Sequence, residues 1–143
     1  MSTELKIKYL SDIKPIEFND NGNWIDLRAG ETHNLHAGEF RKIGLGIAIE
    51  LPKGYEAIIA PRSSTFDKWG VIQANSIGII DESYCGDKDE WMLPVIAFRP
   101  TVIHKNDRIC QFRIFKHQDL ESMIRVKTLG NPNRTGFGST GVQ

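Results

Sequence analysis

Short runs of β-branched and aromatic residues, each followed by a turn signal, constrain the fold of this chain more than any other feature. Runs such as LKIKYL, WIDLRA, YEAIIAP, SIGIID and RICQFRIF are separated by the turn sequences NDNGN, PKG, SYCGD and HKND. Many short strands with frequent turns are typical of an all-β sandwich or barrel. Only SSTFDKWG predicts a helix, because Ser63 or Ser64 can cap its first turn and Gly70 can end it.

Length and charge narrow the function. A chain of 143 residues predicts one domain, and its 18 basic and 18 acidic residues cancel, which argues against nucleic-acid or membrane-surface binding. No apolar run approaches the ~20 residues of a membrane span, and MSTELKIKYL lacks a signal-peptide core. Cys85 and Cys110 fit no metal or redox spacing. We therefore expect reduced cysteines in a cytoplasmic protein.

The stretch APRSST is a candidate anion site. Arg62 can donate two parallel hydrogen bonds to a phosphate, and Ser63 and Ser64 can add hydroxyls. A helix that starts here would contribute free N–H groups. The alternative is an ordinary helix cap with a surface ion pair.

The stretch NSIGIIDESYCGD predicts a hairpin with Asp81 at its shoulder and Tyr84 at its tip. A partly desolvated Asp81 can act as a general base toward water, and Tyr84 can stack on a sugar. Gly78 permits close approach of the backbone to a planar base. The alternative is a turn-initiating aspartate beside a packing tyrosine.

The stretch NDRICQFRI predicts a turn and then a strand. Alternation places Arg108, Cys110 and Phe112 on one face, with Ile109, Gln111 and Arg113 on the other. The amide of Gln111 then needs a partner, either within the protein or in a ligand.

Two other clusters predict no metal site. His33 and His36 fall on opposite faces of a strand. The acidic bunch of Asp87, Asp89 and Glu90 is a solvated turn without the spacing of a calcium loop.

The chain ends in NRTGFGSTGVQ, in which glycines and hydroxyl residues leave little to pack. One interpretation is a frayed terminus. The other is a flexible lid, residues 131–143, that orders over a phosphorylated aromatic ligand and follows a single domain of residues 1–130.

In this order, WIDLRA, APRSS, GIIDESYCGD, NDRICQF and GFGSTG resemble the five motifs of the trimeric all-β dUTP pyrophosphatases (dUTPases), from about Trp24 to Gly141. The resemblance implies a distorted jelly-roll with at most one short helix. It implies a homotrimer whose active sites are shared between subunits. The implied reaction is Mg²⁺-assisted hydrolysis of dUTP to dUMP and pyrophosphate, which limits uracil in DNA and supplies dUMP.

The resemblance also implies a role for each matching residue. Asp81 would activate the water that attacks the α-phosphorus, Tyr84 would stack on deoxyribose, and Asp26 would contact Mg²⁺ through water. The remaining substrate contacts would be Asn75, Gly78 and Ile80 for uracil, Arg62, Ser63, Ser64 and Gln111 for the phosphates, and Arg134, Phe137, Gly138, Ser139 and Thr140 in the lid.

The chain departs from the family pattern in several places. Pro132 stands where an arginine is usual, so Arg134 lies only three residues before Phe137. Asn106 replaces a glycine, and asparagine tolerates the same left-handed backbone. The segment after Tyr84 is several residues longer than expected. Rival interpretations are a dCTP deaminase or bifunctional deaminase of the same fold, a regulatory protein that binds dUTP, and a purely structural jelly-roll.

Overall fold

The computed structural model describes residues 3–18 and 23–136, and the regular secondary structure within them is almost entirely β. The strands are β1 (Lys6–Tyr9), β2 (Ile25–Arg28), β3 (His33–Leu35), β4 (Phe40–Gly44), β5 (Ile47–Glu50), β6 (Tyr55–Pro61), β7 (Val71–Gln73), β8 (Gly78–Ile80), β9 (Met92–Ala97), β10 (Thr101–Ile103) and β11 (Arg108–Lys116). The helix α1 (Thr65–Trp69) lies between β6 and β7. The all-β prediction with at most one short helix is therefore confirmed.

Two larger sheets and two small ones enclose the core. The larger sheets have the strand orders β2-β11-β6-β8 and β4-β9-β7, and the pairs β1-β5 and β10-β3 flank them. Between them lies an apolar core that includes Leu27, Ile59, Trp91, Ile109 and Phe112, each at most 2% exposed. Trp91 packs edge-on against Phe112 with 5.2 Å between ring centroids. Burial of these side chains fixes the two sheets on which the site is built.

The run FRKIGLGIAIEL forms two strands and not one. The chain bends between β4 and β5 at Gly46, whose φ of 70° is a left-handed conformation that glycine adopts without strain. This bend matters for the site, because the backbone N–H of Gly46 reaches a carboxylate from a distant turn.

The predicted position of the helix is confirmed, but the predicted capping hydrogen bond from a serine side chain is wrong. Gly70 ends α1 with a φ of 63°, as expected, and its N–H donates to the carbonyl of Phe66. Ser64 is the N-cap residue, yet its side chain makes no capping hydrogen bond. The hydroxyl that closes this turn belongs to Thr65, which accepts a hydrogen bond from the N–H of Arg62.

The predicted hairpin around Asp81 is also wrong. β8 pairs antiparallel with β6, whereas β9 pairs with β4 and β7. The segment between β8 and β9 is therefore a connection between two sheets. No helix in the described parts of the chain is long and apolar enough to cross a membrane.

Candidate functional site

Strand register brings three predicted site residues onto one face. Gln111 of β11 pairs with Asp26 of β2 on one side and with Ala60 of β6 on the other. Paired residues on adjacent strands project to the same face, and Arg62 follows Ala60 by two positions. Asp26, Gln111 and Arg62 therefore lie side by side, and we call them the arginine cluster, together with Arg108.

Ion pairs hold this cluster. One carboxylate oxygen of Asp26 lies 3.1 Å from Nε of Arg62, and the other lies 3.5 Å from Nη1 of Arg108. Arg62 also donates from Nη1 to the carbonyl of Arg108 at 3.0 Å, and Gln111 donates to the carbonyl of Pro61 at 3.0 Å. The amide of Gln111 thus has the partner that the sequence required. The two guanidinium groups remain partly exposed and can receive an anion.

Thr65 fixes the turn that carries Arg62, and sequence reasoning missed it. Its hydroxyl accepts from the N–H of Arg62 at 2.8 Å and donates to the carbonyl of Ile109 at 3.0 Å, and the residue is 2% exposed. Ser63 is exposed and Ser64 half-buried in the same turn, beside the cluster. The sequence signal was the third hydroxyl residue in SST.

The predicted alternation of side chains along β11 is wrong at the start of this strand. Register shifts between Arg108 and Cys110, so Ile109 is buried together with Cys110 and Phe112. Arg108 is turned outward as a result, onto the side of Asp26. Simple alternation from residue 108 onward could not reveal this bulge. Asn106, which precedes β11, has the left-handed φ of 77° that was expected of it.

A second group of residues surrounds a cavity of about 490 Å³ at the end of β8. Ile80, Asp81 and Tyr84 line it, and so do Lys42 and Met92 from the neighbouring sheet. We call this the Asp81 cavity. One wall is apolar and one carries a carboxylate and a phenol, which suits a ligand with a planar ring and a polar edge.

Asp81 is ionised at neutral pH. A hydrogen bond from the hydroxyl of Ser83, and then a second from its backbone N–H at 2.9 Å, hold the pKa of the Asp81 carboxyl below its usual range. Hydrogen bonds to a carboxylate favour the charged form. The nearby His117 adds to this effect on the pKa. The side chain is exposed and therefore accessible to a bound water.

Tyr84 is 40% exposed at the mouth of the cavity, and its ring is tethered. The phenolic hydroxyl donates to the backbone carbonyl of Glu90 at 2.9 Å. The carboxylate of Glu90 in turn accepts a hydrogen bond from the N–H of Gly46 at 2.9 Å. The extension after Tyr84, expected to be only a solvated acidic turn, therefore contacts the candidate site.

The other predicted residues lie outside these two groups. Asn75 is exposed before β8, and a Cβ added to Gly78 would lie 3.4 Å from Ile59 and from Gln73. Arg134 is exposed in the extended segment that follows β11. Phe137, Gly138, Ser139 and Thr140 fall outside the described residues.

The arginine cluster and the Asp81 cavity lie at opposite ends of β6. Ile80 pairs with Ala57, and Arg62 follows Ala57 by five residues. At the strand rise of about 3.3 Å per residue, these positions are about 17 Å apart. One chain therefore presents two separate groups of candidate site residues, which we call half-sites.

The donor atoms do not form a metal site of their own. Within residues 3–18 and 23–136, no three His, Cys, Asp or Glu side chains are grouped to hold an ion. Asp26 is a single carboxylate, and two arginines already contact it. Mg²⁺ is commonly bound by one or two carboxylates together with substrate phosphates and water, and one carboxylate beside an anion site fits that mode.

Comparison with known proteins gives a consistent result. The sequence model of the dUTPase family matches residues 24–141. The SPbeta prophage-derived deoxyuridine 5'-triphosphate nucleotidohydrolase YosS of Bacillus subtilis is 52% identical over 141 residues, covering 98% of this chain and 99% of that protein. The deoxyuridine 5'-triphosphate nucleotidohydrolase of Rickettsia akari is 37% identical over 148 residues, with 98% of both chains covered.

Solved structures share the fold. A mutant dUTPase of Staphylococcus bacteriophage 80alpha, solved with dUpNHpp, superposes with a TM-score of 0.75 at 21% identity, and the match covers 99% of this chain and 100% of that one. A mutant dUTPase from phage phi11 of S. aureus, which coordinates a structural Mg(II) ion, gives a TM-score of 0.77 at 18% identity over 88% of this chain and 98% of that one. The distorted jelly-roll that the motifs implied is thereby confirmed.

Proposed function

The chain belongs to the dUTPase family, and from that premise we propose that it hydrolyses dUTP to dUMP and pyrophosphate. One observation carries the proposal. An ionised carboxylate beside an aromatic ring follows β8 near one end of its partner strand β6, and the arginine cluster lies at the other end of β6. The first half-site suits a nucleoside and the second suits a polyphosphate. In a cell this reaction would limit uracil in DNA and supply dUMP.

Asp81 is the proposed general base. Its carboxylate is exposed and ionised at neutral pH, so that it can accept a proton from a water held beside it. The water oxygen bonds to the α-phosphorus while the bond from that phosphorus to the bridging oxygen of pyrophosphate breaks. Pyrophosphate leaves with the electron pair of that bond. Asp81 also lines the cavity proposed for the nucleoside, and a nucleoside bound there would bring its α-phosphate near this carboxylate.

The nucleoside contacts follow from the Asp81 cavity and its approach. Tyr84 would stack on deoxyribose, and the backbone of Asn75, Gly78 and Ile80 would contact uracil. The exposure of Asn75 before β8 supports this assignment, because its side chain is accessible to a ligand. Uracil differs from thymine by one methyl group, so a close-fitting wall rejects thymine sterically.

The phosphate contacts follow from the arginine cluster. Arg62 can pair with phosphate oxygens, while the hydroxyls of Ser63 and Ser64 and the amide of Gln111 add neutral donors. Asp26 contacts two guanidinium groups at 3.1 and 3.5 Å, and its single negative charge leaves the group with a net positive charge for an anion. Arg134 would add a further cation from the C-terminal segment.

We propose Mg²⁺ as the cofactor, held mainly by the substrate phosphates, with Asp26 as its water-mediated protein contact. When bound, the ion would neutralise phosphate charge and keep the triphosphate folded. The residues of this chain then have separate tasks. Asp26 also orients Arg62, since one oxygen accepts from that guanidinium, while the other, 3.5 Å from Arg108, would also accept from the ion's water.

A homotrimer with shared sites would join the two half-sites. Within one chain they are about 17 Å apart along β6, so a second copy must supply one of them. After β11 the chain continues to residue 136 with exposed apolar side chains, including Met123 at 88%, Ile124 at 82% and Leu129 at 82% exposure. Such residues need a partner surface, and a neighbouring copy of this chain would provide it.

The C-terminal residues 131–143 are the proposed lid. Phe137 would cover uracil, and Gly138, Ser139 and Thr140 would contact the terminal phosphate, while residues 1–130 form the domain beneath. Closure would exclude bulk water from the phosphates. The two free cysteines, one exposed and one buried, support our proposal of a cytoplasmic location.

The test is release of pyrophosphate from dUTP, dTTP, dCTP and UTP by purified protein with Mg²⁺. We expect turnover of dUTP alone, and we expect Asp81→Asn to lower kcat by ~10²–10⁴ while nucleotide binding persists. Conversion of dCTP to a uracil nucleotide would support the deaminase alternative. Tight dUTP binding without turnover would support the regulatory one, and no binding at all would leave a structural protein.

A further inference from the structure

The connection from Tyr84 to β9 contains a half-buried carboxylate, that of Glu90. Oε2 of Glu90 accepts the N–H of Gly46 at 2.9 Å, in the bend between β4 and β5. A Cβ added to Gly44 would lie 2.6 Å from that same oxygen. The absence of a side chain at Gly44 therefore makes the space in which the Glu90 carboxylate sits.

The main chain of Glu90 is fixed at the same place. Its N–H donates to the carbonyl of Lys88 at 2.9 Å. The next residue, Trp91, is fully buried, its N–H donates to the carbonyl of Ile47, and its carbonyl accepts from Leu45, both at 2.9 Å. The Glu90 carbonyl is thus fixed on two sides. The carboxylate of the same residue is hydrogen-bonded to Gly46, and the side chain of the next residue, Trp91, is buried. This is the carbonyl that receives the Tyr84 hydroxyl at 2.9 Å.

Resting on the proposed function, we propose that Glu90 is a positioning residue that holds the Tyr84 ring against the substrate sugar and thereby sets the preference for deoxyribose over ribose. A ring rejects an added 2′-hydroxyl only when it cannot move aside. Apolar walls discriminate weakly against one hydroxyl, so rigidity of the wall decides the ratio. Here the rigidity comes from two linked hydrogen bonds. The N–H of Gly46 donates to the carboxylate of Glu90, and the hydroxyl of Tyr84 donates to the carbonyl of Glu90.

Four single variants test this role through the ratio of kcat/KM for dUTP to kcat/KM for UTP. Glu90→Ala removes the anchor, and Gly44→Ala displaces it without altering Glu90. Each should lower the ratio about two- to twelvefold, the range of one net hydrogen bond. Glu90→Gln keeps an oxygen that accepts from Gly46 and should retain the ratio. Asp87→Ala, in the same turn but ion-paired only to exposed Lys8, is the matched control and should also retain it.

Coupling separates positioning from general damage. If Glu90 acts through the phenol, Tyr84→Phe should lower the ratio by itself, and Glu90→Ala should add nothing in the Tyr84→Phe background. Likewise, Gly44→Ala should add nothing once Glu90 is alanine. A merely structural role for Glu90 would lower turnover of both nucleotides equally and leave their ratio unchanged. Additive effects of Glu90→Ala and Tyr84→Phe would overturn the proposal.

Each variant is first shown to fold and to keep the oligomeric state of the wild type. If Glu90→Ala does not fold, Gly44→Ala and Glu90→Asp, which is too short to reach Gly46, provide the same comparison. Wild-type protein that fails to hydrolyse dUTP overturns the proposed function and this role with it. Wild-type protein that hydrolyses dUTP, with an unchanged ratio in Glu90→Ala or its substitutes, overturns only the positioning role.

Discussion

The buried hydroxyl of Thr65 should support both stability and phosphate binding. It accepts the N–H of Arg62 at 2.8 Å and donates to the carbonyl of Ile109 at 3.0 Å. Thr65→Val keeps the shape of the side chain and removes both hydrogen bonds. Two backbone groups then lose their partner, one at the start of the APRSST turn and one in the bulge of β11.

The expected loss follows from those two groups. An unpaired buried polar group costs about 1–3 kcal/mol. Because Arg62 is only half-buried, water can reach its N–H, and we expect a total loss of about 2–4 kcal/mol in the free energy of unfolding. For a chain of this length, about 4 °C per kcal/mol gives a fall in Tm of roughly 8–16 °C. The KM for dUTP should rise as well, since the turn carries Arg62.

Urea and thermal denaturation at one fixed protomer concentration measure the first effect, and steady-state kinetics measure the second. Thr65→Ser is the control, because it keeps the hydroxyl and removes only a methyl group. Wild-type stability in the Thr65→Val variant would refute the reasoning. Equal losses in both would assign the cost to packing and not to the hydrogen bonds.

Three further predictions concern the base, the thiols and the lid. Ser83→Ala removes the side-chain hydrogen bond that contributes most to the lowered pKa of Asp81, so we expect that pKa to rise. The acidic limb of the pH profile of kcat/KM should then move to higher pH, and an unchanged limb would contradict this prediction. Alkylation at neutral pH should modify exposed Cys85 first, since burial raises the pKa of the Cys110 thiol, and peptide mapping after partial reaction checks the order. Deletion of residues 131–143 should leave a folded trimer with little activity, and full activity would exclude a lid.

Local patterns were enough to predict the class of fold. Runs such as YEAIIAP and RICQFRIF contain enough apolar residues to mark β6 and β11 within a residue or two. The strands β3 and β10 have three residues each, and HNL and TVI are too short to show a period. The left-handed positions of Gly70 and Asn106 were predictable because few residues tolerate them.

The errors arose where the outcome depends on distant parts of the chain. The choice of Thr65 over Ser63 and Ser64 depends on the carbonyl of Ile109, a residue 44 positions away. The pairing of β8 with β6, and the outward turn of Arg108 at the bulge, likewise depend on strands far along the chain. Composition showed an acidic turn after Tyr84, but it could not show that Glu90 reaches Gly46. The residue types of the site were therefore predictable from the sequence, but the distant contacts that hold those residues in position were not.

The separation of the two half-sites gives a direct test of how many chains build one site. Asp81 follows Ile80, which pairs with Ala57, and Arg62 lies about 17 Å further along β6. A base at the α-phosphorus and a cation on the adjacent phosphates must act much closer together than that. If both act on one substrate, they come from different copies of the chain.

Asp81→Asn and Arg62→Gln chains should each be nearly inactive alone. The two variants are then refolded together in equal amounts. If a site takes its base from one chain and its arginine from another, about a quarter of the randomly assembled sites contain both intact residues. Pyrophosphate release should therefore return to roughly a quarter of the wild-type rate, with mixed trimers verified by mass. Confirmed mixing without recovery would mean that a single chain supplies both residues. The register of β6 and β8 would then have to be wrong, since it holds them too far apart.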